Sequence, residues 1–140
     1  MSTAVGASVT SEEIRPVRSS EDVVVVRQLV RALAVKLGFT LVDQTKIVTA
    51  ASELARNTVD YGGGGTVRLQ TITDGKRIGL RLTFEDKGPG IEDLALALKD
   101  GYTSGGGLGL GLGGAKRLSN DFEIVSRPGE GTRVSIARWR

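Results

Sequence analysis

Neither cysteine nor histidine occurs among the 140 residues of this chain. The first absence excludes disulfides, thiol nucleophiles and thiolate metal sites. The second excludes imidazole bases, imidazole metal ligands and a phosphorylated histidine. A general base must then be a carboxylate, or failing that a Lys or Tyr. A bound metal must be a hard cation on oxygen ligands, which points to magnesium. Aromatic residues make up only 4% of the chain. The core therefore has to be built from Val, Leu, Ile and Ala, and few rings are on offer for stacking single-stranded nucleic acid. The net charge is only +3, with Lys and Arg spread along the chain, so no basic patch marks a nucleic-acid surface. No apolar run reaches the length a bilayer requires, and the small, polar N-terminal residues lack a signal-peptide core. The expectation is a cytoplasmic protein with no membrane or nucleic-acid partner.

What the chain does have is glycine, 20 residues in all, seven of them in the ten positions Gly105–Gly114. Glycine allows close backbone approach to a ligand and positive φ at no steric cost. A glycine run that enters a helix supplies unpaired N–H groups and a positive dipole end, the usual phosphate seat. Taken alone, the run reads better as a flexible linker or a mobile surface loop than as a phosphate seat.

The pattern of the remaining chain predicts one domain over 12–140, preceded by a disordered tail over 1–11. Glu13–Arg18 reads as an edge strand, because Pro16 is tolerated only there. Ser19 or Ser20 caps a first helix on which Val23, Val26, Val30, Leu33 and Leu37 recur at helical spacing, stopped by Gly38. Val24, Val25 and Leu29 fit either a partner surface or the core. A second helix spans Val42–Val59, with Ile47, Ala50, Ala51, Leu54 and Thr58 on one face. Thr66–Thr73 and Lys76–Glu85 alternate around the turn signal Asp74-Gly75, and place Ile78, Leu80, Leu82 and Phe84 on one face. Short helices over Ile91–Lys99 and Leu108–Leu118 follow, and Asp121–Arg127 with Thr132–Trp139 forms a last hairpin. This order predicts an α+β two-layer sandwich, helices on one face of a mixed, mostly antiparallel sheet.

Three segments together suggest chemistry. A nucleotide site without histidine or cysteine needs an oxygen ligand for magnesium, a base near the terminal phosphate, an acceptor for the adenine amino group and backbone donors for phosphate. Asn57 offers the first and Glu53, one helical turn earlier on the same face, the second. Asp86, at a strand end, can accept from the adenine N6 amino group, and Gly88 and Gly90 let the backbone turn beneath the base. Gly105, Gly106, Gly107, Leu108, Gly109 and Gly111 lie in the run that would hold phosphate and act as a lid, and Thr132, after Gly131, adds a hydroxyl near the base. Each part alone has an ordinary reading: a solvated helix carboxylate, a surface amide, a loop, a hairpin turn. Their joint occurrence in this order is what carries weight.

Glu53-x-x-x-Asn57, Asp86-x-Gly88-x-Gly90, the Gly-x-Gly-x-Gly lid and the later Gly131-Thr132 resemble the GHKL ATPase/kinase superfamily, the Bergerat fold. Ser52-Glu53-Leu54-Ala55-Arg56-Asn57, the Glu85–Asp93 segment and Gly106–Leu112 are more specifically similar to the RsbT-like switch serine/threonine kinases of bacterial stress signalling. The resemblance runs from about Glu13 to Arg140. It implies ATP with Mg2+, transfer of the γ-phosphoryl group to Ser or Thr of a STAS-domain partner in a stressosome-type, partner-switching circuit, and a serine phosphatase as a further partner. It also implies Asn57 as the magnesium ligand, Glu53 as base, Asp86 as reader of adenine, and a lid closing over phosphate. One departure stands out: no Lys or Arg lies between Asp100 and Ala115, which leaves Lys116, Arg117 or Arg56 to stabilise charge in transfer. Competing readings are a nucleotide-gated binding module for a sigma factor or phosphatase, an ATP hydrolase, and a structural domain with a glycine-rich loop.

Overall fold

The computed structural model describes residues 6–98 and 112–140. Its elements follow one another as β1 (Ser8–Val17), α1 (Ser20–Lys36), α2 (Leu41–Asp60), β2 (Gly65–Thr73), β3 (Ile78–Asp86), α3 (Leu94–Ala97), α4 (Leu112–Arg117), β4 (Asp121–Ser126) and β5 (Thr132–Trp139). Local chemistry explains the helix ends. The Ser19 hydroxyl accepts from the Asp22 N–H and the Thr40 hydroxyl from the Asp43 N–H, each satisfying a donor that the first helical turn leaves unpaired. Gly38 has φ +84° just past the Leu37 C-cap, the left-handed position that stops α1.

The five strands form one sheet in the order β1-β2-β3-β5-β4. All four pairings are antiparallel, so the parallel pairing implied by a mixed sheet does not occur among the described residues. Each strand neighbours one it can reach by a hairpin or a crossover through the helical layer, which needs no parallel partner. A second correction concerns the N-terminus. β1 begins at Ser8, pairs with β2 from Thr73 onwards and bulges between Val9 and Ser11, so Ser8–Ser11 belong to the sheet rather than to a tail. Its residues are exposed except Val17, and an edge strand without an apolar face gives little periodic signal. Pro16 sits on this edge opposite Thr66, where a missing N–H breaks no ladder bond.

Helices cover one face of the sheet. Ile47, Ala50, Ala51, Leu54 and Thr58 of α2 are all buried, and with Val26 and Val30 of α1 they pack over Val67, Leu69, Leu80, Leu82, Phe84, Val134 and Ile136. Truncating a fully buried member such as Leu82 costs about 3 kcal/mol through lost burial and a residual cavity. Leu29 packs against this core, whereas Val24 and Val25 stay exposed at 46% and 39%. Among the described residues the sheet's other face carries a small cluster of Ile72, Ala137 and Trp139, with the Arg77 guanidinium 4.1 Å from the centre of the indole ring.

A largely covered cation ties the layers together near the end of α4. Arg138 of β5 donates to Asp43 Oδ1 at 2.7 Å and to the Leu118 carbonyl at 2.9 Å. The Arg138 hydrogen bond holds the Asp43 carboxyl below its ordinary range, as expected when the donor is charged.

Candidate nucleotide site

The C-terminal end of β3 is where four glycines meet one carboxylate. Asp86 is the last residue of β3 and lies opposite Gly65 of β2 and Thr132 of β5. A Cβ built on Gly62 would fall 2.4 Å from Asp86 Cγ. One on Gly65 would fall 1.9 Å from the Glu85 carbonyl oxygen, and one on Gly131, where φ is +84°, 2.2 Å from the Asp86 carbonyl oxygen. A Cβ on Gly88 would meet the Gly62 carbonyl oxygen at 2.7 Å. None of these positions can take a side chain without a backbone or carboxylate shift.

The carboxylate is held from two sides. The Gly88 N–H donates to Asp86 Oδ1 at 2.9 Å, and the Thr132 N–H also donates to the carboxylate. Burial nonetheless dominates and pushes the Asp86 carboxyl above its ordinary value of 3.8, with the neighbouring Glu85 charge adding to the rise and the two N–H donors opposing it.

Asp86 and Thr132 form one polar end of a cavity of about 370 Å3, open on one side, whose apolar wall includes Leu54, Phe84, Ile91, Leu112 and Val134. Asn57 and Thr58 of α2 also line it. The Thr58 hydroxyl is turned back to the Leu54 carbonyl, so Asn57 is the amide that α2 presents to this space. Asn57, Asp86 and Thr132 are thus brought together as the sequence pattern predicts. Glu53 sits one turn before Asn57, half-buried, outside the cavity wall. Gly88 and Gly90 are not in the cavity wall; they lie in the loop that follows Asp86. Gly90 has φ +74°, and a Cβ there would lie 2.0 Å from the Arg127 carbonyl oxygen, so the loop after Asp86 is pressed onto the β4–β5 turn.

Gly105, Gly106, Gly107, Leu108, Gly109 and Gly111 lie outside the described residues. Of the cations that could face a phosphate, Arg56, Lys116 and Arg117 are exposed, as is Lys87.

Three residues of this end escape pattern reading. Tyr61, the C-cap of α2, donates through its hydroxyl to the Gly90 carbonyl at 2.6 Å and lines the cavity. Ser126 accepts from the Ile91 N–H at 2.8 Å and touches the Thr132 hydroxyl, also at 2.8 Å. Gly62 reads from sequence as a helix stop; its contact with Asp86 spans 24 positions, and no local signal marks it.

The donor set fits a purine nucleotide. A partly desolvated carboxylate and a hydroxyl stand beside an apolar wall, and the neighbouring glycines put no side chain in the way. Magnesium has a more limited protein share. Among the described residues no group of three or more Asp or Glu could cage a metal. The Asn57 side chain, which lines the cavity, carries an amide oxygen of the hard kind that Mg2+ takes.

Residues 42–140 match the family described as histidine kinase-, DNA gyrase B-, and HSP90-like ATPase. The chain is 46% identical over 118 residues to the serine/threonine-protein kinase RsbT of Bacillus subtilis, covering 84% of this chain and 89% of that one. It is 28% identical to an anti-sigma F factor of a Thermoanaerobacter species, covering 81% of this chain and 82% of that protein. A crystal structure of the RsbU and RsbW domains of Rv1364c from Mycobacterium tuberculosis superposes with a TM-score of 0.64 at 21% identity, covering 94% of this chain and 33% of that one; this similarity is one of fold. No helix among the described residues is long and apolar enough to cross a membrane.

Proposed function

Because the chain belongs to the histidine kinase-, DNA gyrase B- and HSP90-like ATPase family, and shares nearly its whole length with a protein-serine/threonine kinase, we propose that it is itself an ATP-dependent protein serine/threonine kinase. Its substrate is a STAS-domain protein in a bacterial stress-signalling, partner-switching circuit. The observation that carries this reading is the half-buried Asp86 carboxylate, held by backbone N–H groups at the end of an apolar slot that Asn57 also lines.

In this reading Asp86 accepts from the adenine amino group and the slot walls take the base. The glycine run, Gly105–Gly111, covers the phosphates. Magnesium, when bound, neutralises phosphate charge, and Asn57 is its protein ligand. Glu53 takes the proton of the incoming Ser or Thr hydroxyl, which frees that oxygen to attack the γ-phosphorus while ADP leaves. Positioning and charge neutralisation supply most of the rate in such transfers. Lys116, Arg117 and Arg56 are the cations available for the transferring group.

A transfer assay with γ-labelled ATP, magnesium and a candidate STAS protein tests this directly. Label should reach the partner with the native chain and fall by about 100-fold or more with Glu53→Ala, since a lost general base costs on that order; it should also fall with Asn57→Ala. Equal labelling by native and Glu53→Ala proteins would remove Glu53 from the role of base.

The similarity to anti-sigma F factors favours a second reading, in which the nucleotide-bound surface grips a partner such as a sigma factor or serine phosphatase. ATP-dependent partner binding without label transfer would support it.

A further inference from the structure

We propose that Ser126 is a positioning residue that fixes the Thr132 hydroxyl as an acceptor toward the cavity and thereby makes the site reject purines with a 6-oxo group. The inference rests on the nucleotide reading above and goes beyond it by assigning base discrimination to a side chain that does not line the cavity.

The argument is a count of protons on one oxygen. Ser126 Oγ has three partners: the Ile91 N–H at 2.8 Å, the Gly131 carbonyl at 3.1 Å and the Thr132 hydroxyl at 2.8 Å. A hydroxyl offers one hydrogen and two lone pairs. The Ile91 N–H can only donate, so it takes one lone pair. The Gly131 carbonyl can only accept, so it takes the Ser126 hydrogen. The Thr132 contact is left with the second lone pair, and Thr132 must be its donor. No other assignment satisfies all three contacts.

With its hydrogen committed to Ser126, Thr132 Oγ1 offers only lone pairs to anything else. Thr132 is 9% exposed and lines the cavity beside Asp86, whose carboxylate is likewise an acceptor. The polar end of the slot is therefore acceptor-only. An exocyclic amino group at the purine 6-position meets it with two hydrogens. A 6-oxo purine offers the same end one N1–H beside a carbonyl oxygen, so one of the two acceptors faces lone pairs and is left unsatisfied, a mismatch that discriminates more strongly than a lost contact.

Ser126 stands at the last position of β4, and the hairpin joins it to Thr132, the first residue of β5. The bond from Ile91 ties the same hydroxyl to the loop after Asp86. One residue thus couples the two segments that carry the base-reading groups.

The test compares dissociation constants for ATP and inosine triphosphate, with magnesium, in the native chain and in Ser126→Ala, Ser126→Cys and Ser126→Thr. The native chain should prefer ATP. Ser126→Ala frees the Thr132 hydrogen to turn into the cavity, and the ATP-to-ITP preference should drop about tenfold, the worth of one hydrogen bond. Ser126→Cys retains the packing volume with a poor acceptor, so it should drop the preference too and keeps the test open if the alanine variant fails to fold. Ser126→Thr should keep the native ratio. In a Thr132→Val background the Ser126→Ala change should alter the ratio less than twofold, because the effect passes through Thr132.

An unchanged ratio in Ser126→Ala and Ser126→Cys, or the same drop in the Thr132→Val background, overturns the proposal while native ATP binding stands. A native chain that binds neither nucleotide overturns it together with the nucleotide reading.

Discussion

The two ends of β3 hold the same kinds of residue and use them differently. At the hairpin end, Asp74 accepts from the Lys76 and Arg77 N–H groups at 3.1 and 2.8 Å and pairs with the Arg77 side chain. Gly75 has φ +90° with nothing within 4 Å of a Cβ built on it. The other end has Asp86 and its glycines, where a Cβ at Gly62, Gly65, Gly88 or Gly131 lands on a neighbouring atom at less than 3 Å. Glycine at the hairpin is a matter of backbone angle alone. At the Asp86 end it is a matter of volume: main chain from α2's end, β2, the loop after β3 and β5's start converge so closely that only hydrogen fits. The carboxylates differ in the same sense. Asp74 is exposed and satisfied, and its pKa is pulled down to about 2 by N–H donors and the Arg77 side chain. Asp86 is half-buried and its pKa is pushed up. One aspartate makes a turn; the other is held ionisable in a crowded, half-buried place, at some cost in stability.

Substitutions at the two ends should separate these roles. The largest effect is expected from Gly131→Ala, which combines φ +84° with an overlap at the Asp86 carbonyl oxygen. It should lower folding stability by about 3 kcal/mol or more, read from denaturant unfolding, and a loss below about 1 kcal/mol would show that the convergence relaxes freely. Next comes Gly62→Ala, whose new methyl can be accommodated by pushing out the Asp86 side chain rather than the main chain. It should weaken ATP binding by roughly tenfold, about the worth of a hydrogen bond, while costing less stability than Gly131→Ala.

The pH responses should run in opposite directions at the two ends. The native Asp86 carboxyl binds its proton more tightly than in the unfolded chain, so its contribution to stability is full below 3.8 and is lost as pH rises through its native pKa. ATP binding uses the ionised form and should therefore strengthen as pH rises through that same native pKa. The Asp74 contribution is present above 3.8 and is lost as pH falls toward about 2. A carboxyl-carbon NMR titration resolves both, and two coincident curves near 3.8 would erase the contrast. The smallest effect is expected from Gly75→Ala, which meets no atom and should cost only the left-handed backbone term of about 1 kcal/mol, with ATP affinity unchanged.

Much of this was legible in the residues. The periodicity of α2 marked its buried face through Ile47, Leu54 and Thr58, and the alternation of β3 marked Leu80, Leu82 and Phe84, because a single hydrophobic face writes a period. The spacing of Asn57, Asp86 and Thr132 announced the candidate site. What was not legible is non-local. The exposed β1 has no apolar face to show where it starts, so Ser8–Ser11 read as a tail. Gly62 reads as a helix stop because the carboxylate it lies against is 24 residues away. Ser126 reads as one more polar residue at a strand end, since its three partners come from three separate segments. The hairpin closes through four residues, Asp74–Arg77, rather than two, because one Asp74 oxygen, Oδ1, accepts from two consecutive N–H groups.

The central claim, that the crowded end of β3 reads a purine base, is tested most directly by calorimetric titration of ATP with magnesium into the native chain and Asp86→Asn. The account predicts saturable binding to the native chain and an affinity weaker by about 30-fold in the variant, the loss of one charged hydrogen bond of roughly 2 kcal/mol. Equal affinity in both would place the base elsewhere and contradict it.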